Sequence, residues 1–167
     1  MQTKTLLLVR HAKSSWDDPS QQDYDRPLND RGKSDAPAMA KRLHKEKEIS
    51  LDSIISSPAK RAFSTAKFFA EEFDIKKKNI IEEPGLYNAS IDDFYAAVTS
   101  LDDDYKSVAL FSHNPGITVF SNILTAIRID DMPTCAVFAL HIKTDRWKDF
   151  KTAEKEFWFF DYPKNAI

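Results

Sequence analysis

Three short apolar runs, each halting at a cluster of cationic or hydrogen-bonding residues, set the tightest limit on how this chain can fold. Residues 5–9 (TLLLV) stop at Arg10 and His11. Residues 52–56 (DSIIS) stop at Ser57 and Pro58, with Arg61 one helical turn further on. Residues 107–112 (SVALFS) stop at His113, Asn114 and Pro115. Continuous apolar runs of this length read as strands buried on both faces, as in parallel sheets. Ile80 and Ile81 predict a shorter strand, and the β-branched or aromatic stretches 135–142 and 156–161 predict the last two.

Helical periodicity fills the gaps. Ala36, Met39, Ala40 and Leu43 lie three or four apart, and Pro37 either falls in the first turn of that helix or kinks it. Ala62, Thr65, Ala66, Phe69 and Phe73 predict a helix over 59–72. Ser90 is an N-cap for a helix over 91–101, with Asp92 and Asp93 in its first turn. Residues 116–127 are apolar nearly all round (Ile117, Val119, Phe120, Ile123, Leu124), which predicts a well-buried helix. Strand and helix in alternation specify an α/β fold, a mostly parallel sheet covered on both faces. Such sheets place ligand sites beyond the carboxyl ends of their strands.

Composition narrows the class. A chain of 167 residues with 42% hydrophobic content is expected to form one domain over 1–167 with a substantial core. Its 24 basic and 26 acidic residues nearly balance, so no electrostatic footprint for nucleic acid exists. The single cysteine, Cys135, cannot form an intramolecular disulfide and suits a reducing compartment. No apolar run is long enough for a signal segment or membrane span, which makes a cytoplasmic protein the expectation.

The three strand ends would gather two arginines and two imidazoles on one edge of the sheet. Planar guanidinium forks and helix N-termini near Pro58 and Pro115 suit a tetrahedral oxyanion such as phosphate. There is no Gly-rich loop with Lys-Ser or Lys-Thr for a nucleotide, and no metal-ligand spacing, so neither cofactor nor metal is expected. A histidine clamped among arginines can itself attack phosphorus to give a phosphohistidine that water hydrolyses.

The segments LLLVRHAKSSW, DRPLNDRGKSDA, ISSPAKRAFSTA and ALFSHNPG, in that order, resemble the histidine phosphatase (phosphoglycerate-mutase-like) superfamily. Ala12, where many members have glycine, the short chain and the SHNPG segment resemble its SixA-type phosphohistidine phosphatases. The resemblance implies a three-layer α/β/α sandwich with a mixed, mostly parallel sheet. It makes His11 the phosphorylated nucleophile, Arg10 and Arg61 the ligands of the phosphoryl oxygens, and His113 the second histidine of the site.

The departures carry chemistry. Family members acting on alcohol phosphates supply a carboxylic acid, either directly after the second histidine or in the segment after the third strand. Here those places hold Asn114 and the stretch 85–89 (GLYNA), while Glu82 and Glu83 lie beyond a Pro-Gly step. An alkoxide leaving group needs a general acid worth about 10²–10⁴-fold. The imidazole of a phosphohistidine leaves far more readily, so a pocket without the acid matches a P–N bond. Asp17 stands where many members place an Asn near the phosphate, and as a rim carboxylate it needs Lys13 or Arg26 as a partner. Ser57 either donates to a phosphate oxygen or caps the following helix. Tyr87 and Trp16 are candidates for the rim met by a protein substrate, with Lys13, Asp17, Ser57, Tyr87 and Asn114 as the substrate-contacting set. The expected activity is a cofactor-free phosphatase acting on phosphohistidine of a protein partner. The alternatives are a phosphatase for a small phosphomonoester and a phosphoprotein-binding module without turnover.

Overall fold

The computed structural model describes residues 1–165. Six strands form one sheet in the order β3-β2-β4-β1-β5-β6, where β1 is Thr3–Arg10, β2 Ser53–Ser56, β3 Ile81–Glu82, β4 Ser107–Ser112, β5 Val137–Lys143 and β6 Glu154–Asp161. The pairs β3-β2, β2-β4 and β4-β1 are parallel, while β1-β5 and β5-β6 are antiparallel. The sheet is therefore mixed and mostly parallel.

Alternation along the central strands feeds two cores. Leu7, Val9, Ile54, Ala109 and Phe111 pack beneath helices α1 (Asp30–Lys41) and α2 (Lys60–Glu72) through Met39, Ala40, Ala66 and Phe69. Leu6, Leu8, Val108 and Leu110 pack on the other face beneath α3 (Ile91–Thr99) and α4 (Gly116–Leu124) through Phe94, Val98, Ile117 and Phe120. These are the three layers expected. Full burial on both faces is why β1, β2 and β4 read as unbroken apolar runs rather than alternating ones.

Several boundaries move. Pro37 lies inside α1, not in its first turn, because the helix begins at Asp30 behind an Asn29 cap that accepts from the Gly32 amide. A π-helical turn, Arg42–Glu46, continues it. The N-cap expected at Ser90 is present and forms a capping box: its hydroxyl accepts from the Asp93 amide, and the Asp93 carboxylate accepts from the Ser90 amide. Helix α4 departs from expectation in burial: it ends at Leu124, and Val119 and Ile123 are 45% and 48% exposed. The sheet covers one side of this helix and nothing among the described residues covers the opposite one. No described helix is long and apolar enough to cross a membrane.

Candidate active site

Register brings the site together. In the β1-β4 ladder Arg10 pairs with Ser112, and in the β2-β4 ladder Ser56 pairs with Phe111. Strands β1, β4 and β2 thus end level, and the next residues, His11, His113 and Ser57, emerge side by side. The His11 amide donates to the Ser112 carbonyl at 3.2 Å and the Ser57 amide to that of Phe111 at 2.9 Å, extending the ladders one step beyond the strands. Arg61 enters from the first turn of α2. A cavity of about 500 Å³ lies over these ends, lined by Arg10, His11, Arg61 and His113 together with Lys13, Trp16, Asp23, Arg26 and Asn114.

His11 has a fixed tautomer. Its Nδ1 sits 2.7 Å from the Ala12 carbonyl, which can only accept, so Nδ1 carries the proton and Nε2 keeps a lone pair. Arg61 Nε donates to that Nε2 at 3.3 Å. Burial, helped by the positive charges of Arg61 and Arg10, holds the ring well below the ordinary histidine range against the bond to Ala12. The second ring stands 5.1 Å away, centroid to centroid. Burial first, and then the charge of Arg61, push His113 down to about 3. Both histidines are neutral at pH 7.

Two buried polar atoms lack a hydrogen-bond partner among the described residues: Arg10 Nε and His113 Nδ1. Both belong to residues lining this cavity. Leaving such atoms unpaired costs about 1–3 kcal/mol each, a cost that an oxyanion or solvent partner removes. Arg10 is otherwise anchored by Nη1 to the Met132 carbonyl at 2.7 Å. Burial lowers its pKa from the ordinary arginine value.

The substrate-contacting residues expected from sequence separate into different roles. Lys13 lines the cavity from an exposed position. The Ser57 hydroxyl meets His113 Nε2 at 2.8 Å and accepts the Ala59 amide at 3.2 Å, so it sits behind the histidine and holds both the ring and the start of α2. Asn114 lines the cavity, but its side-chain nitrogen donates to Asp131 and to the Met132 carbonyl, and its oxygen accepts from Thr118. Its amide is thereby spent on tying the 131–132 loop to α4. Asp17 is exposed and does not line the cavity; Arg26, a partner expected for it, is taken by Asp23 and Ser14 and sits over the Trp16 ring, its Cζ 3.6 Å from the centroid. Tyr87 stands edge-on to His113 with centroids 5.5 Å apart.

Asp23 is the residue that motif reasoning missed. It lies in a short 3-10 turn, Asp23–Asp25, on the loop that leaves β1. Its Oδ2 accepts from Tyr87 Oη at 2.7 Å and Arg61 Nη2 at 3.0 Å, and its Oδ1 from Arg26 Nη2 at 3.0 Å. Partial burial pushes this carboxyl up, but the hydrogen bonds from Tyr87, Arg26 and Arg61 outweigh it and hold Asp23 well below the usual carboxylate range. Glu82, Glu83 and Asp17 do not line the cavity. Asp23 carries no family spacing that the sequence reading used; its proximity to the DRPL segment was the available signal.

Comparison with known proteins agrees with this geometry. The sequence model of the histidine phosphatase superfamily (branch 1) matches residues 6–95, which include His11, Asp23 and Arg61 but stop short of His113. An uncharacterised chloroplastic protein of Arabidopsis thaliana is 28% identical over 155 residues, 88% of this chain and 70% of that protein. Phosphoserine phosphatase 1 of Hydrogenobacter thermophilus is 42% identical over 92 residues, 52% of this chain and 42% of that protein. The crystal structure of the SixA putative phosphohistidine phosphatase from Agrobacterium tumefaciens superposes with a TM-score of 0.74 at 26% identity, covering 96% of this chain and 98% of that one.

Proposed function

The chain belongs to the histidine phosphatase superfamily (branch 1), and on that premise we propose that it is a phosphatase that transfers a phosphoryl group to His11 and then to water. The observation that carries this reading is the His11 tautomer: a neutral ring with its Nδ1 proton held by the Ala12 carbonyl and its Nε2 lone pair facing the cavity cations. Nε2 attacks phosphorus. Arg10 and Arg61 take the phosphoryl oxygens and offset the charge that spreads over them in the transition state. His113, neutral and with Nδ1 unpaired, adds a hydrogen-bonding group without a charge that would hold the product.

The proposed substrate is phosphohistidine on a protein partner. The two places where relatives acting on alcohol phosphates carry an acid hold Asn114 and the carboxylate-free stretch 85–89, and the cavity carboxylate, Asp23, is ionised at neutral pH. A P–N bond to a protonated imidazole breaks without an external acid. The 42% identity with a phosphoserine phosphatase over 92 residues favours a second reading, a small phosphomonoester.

Phosphate release from a phosphohistidine-bearing domain and from an alkyl phosphate, with His11→Ala as control, separates the two. Release from phosphohistidine alone, abolished in the variant, is the expected result. Comparable release from the alkyl phosphate supports the second reading. No release from either leaves a phosphoprotein-binding module.

A further inference from the structure

We propose that Asp23 is the base that takes the proton from the water hydrolysing phosphorylated His11. The inference rests on the reading of His11 as the nucleophile. It begins with one guanidinium. Arg61 touches His11 Nε2 through Nε and Asp23 Oδ2 through Nη2 at 3.0 Å, so a single planar group bridges the atom to be phosphorylated and the carboxylate. A phosphoryl group on Nε2 takes over donors of Arg61, which frees Oδ2 from that ion pair. Asp23 does not then swing away: Tyr87 Oη still holds Oδ2, Arg26 still holds Oδ1, and the Asp23 carbonyl accepts from Arg61 Nη1 at 2.6 Å. The side chain is 51% exposed, within reach of solvent at the cavity mouth.

The electrostatics select the second step rather than the first. An ionised carboxylate has no proton to give a leaving alkoxide, but it is already in the form that accepts one. Loss of the Arg61 bond beside a doubly charged phosphoryl group raises its basicity at the moment the base is needed. In the step itself, the water oxygen forms a bond to phosphorus while its proton moves to Asp23. The P–N bond breaks and its electron pair returns to Nε2. The ring, which has kept its Nδ1 proton on the Ala12 carbonyl, leaves neutral, and Asp23 passes the proton to solvent. Hydrogenphosphate departs.

Acid-quenched single-turnover labelling tests this, using phosphoramidate labelled with ³²P as donor. Wild type is expected to show a small, transient acid-labile label on His11. In Asp23→Asn the label forms at the wild-type rate, and its loss slows by about 10²–10⁴-fold, so the phosphoenzyme accumulates. Tyr87→Phe, which loosens Asp23 without removing it, is expected to accumulate label to an intermediate level. Formation and loss falling together in Asp23→Asn would overturn the proposal and leave Asp23 as a positioning residue for Arg61. A label that forms and clears normally in that variant would overturn it too. No label and no phosphate release in wild type would instead overturn the reading of His11, and the Asp23 step with it.

Discussion

His113 is held by a hydroxyl that the sequence left open between two roles. Ser57 Oγ bonds the ring and the Ala59 amide at once, so its work is orientation rather than substrate contact. Ser57→Ala is expected to lower kcat/KM by up to about tenfold, since one neutral hydrogen bond contributes about 0.5–1.5 kcal/mol net, and to leave KM nearly unchanged. Steady-state kinetics on phosphoramidate check this. Asp17→Asn is expected to leave both constants unchanged, because that side chain lies outside the cavity. At this scale the proposed nucleophile His11, with Arg10, Arg61 and His113, stood out because cationic residues directly beyond apolar strands have few structural uses, and the fold brings the four to one cavity. Asp23 was not legible. Its meaning comes from three partners, 3, 38 and 64 residues away in sequence, and no local pattern encodes that meeting.

The loop after β1 must return to α1 at a fixed distance, and glycine permits it. A Cβ on Gly32 would stand 2.2 Å from the Lys13 carbonyl oxygen, a backbone atom that cannot move without shifting the cavity wall. Gly32→Ala is expected to destabilise the fold by about 1–3 kcal/mol, read as a lowered urea midpoint, and to weaken phosphate binding. On the other face, Gly116 starts α4 against the Ala89 carbonyl, where a Cβ would approach to 2.7 Å. That contact and the bond from Ser112 Oγ to the Leu86 carbonyl at 2.7 Å press the 85–89 segment onto the site. Strand β1 contains a second element-level surprise in Lys4, fully buried, whose Nζ donates to the carbonyls of Asp103 and Tyr105. Lys4→Met is expected to cost about 2–3 kcal/mol in the same urea measurement, because two carbonyls lose a charged donor. The exposed 102–104 turn thus lends the Asp103 carbonyl to a buried lysine at the end of the sheet opposite the site. Strands β1, β2 and β4 were readable because helix layers cover both their faces, and α2 because a single neighbouring layer sets its apolar stripe. Helix α4 was misjudged because an all-apolar stretch gives no indication of which face the sheet will cover.

Over the whole molecule, burial of the site's histidines imposes a pH dependence on folding. His11 and His113 titrate below the ordinary value in the folded chain, His113 at about 3, whereas the unfolded chain protonates each near about 6.5. The unfolded state therefore binds more protons below that pH. Stability is full above about 6.5 and falls as the pH drops, by up to about 1.4 kcal/mol per unit for each histidine. Urea midpoints at pH 7 and pH 5 are expected to show the loss, and His113→Gln to reduce it. Asp23 acts with the same sign at lower pH: its folded value is depressed, so its contribution is present above the carboxylate range and is lost on further acidification.

The sequence by itself determined the layer order, the strand ends and the gathering of Arg10, His11, Arg61 and His113 on one edge of the sheet. Burial on both faces leaves a continuous apolar signature, and a parallel sheet must place whatever follows its strands on one edge. The tertiary structure decided the rest. Strand register set His11 beside His113, the Ala12 carbonyl fixed which ring nitrogen carries the proton, and the loop after β1 folded back to bring Asp23 onto Arg61. Those features depend on distances between atoms remote along the chain, which packing sets and sequence spacing does not encode.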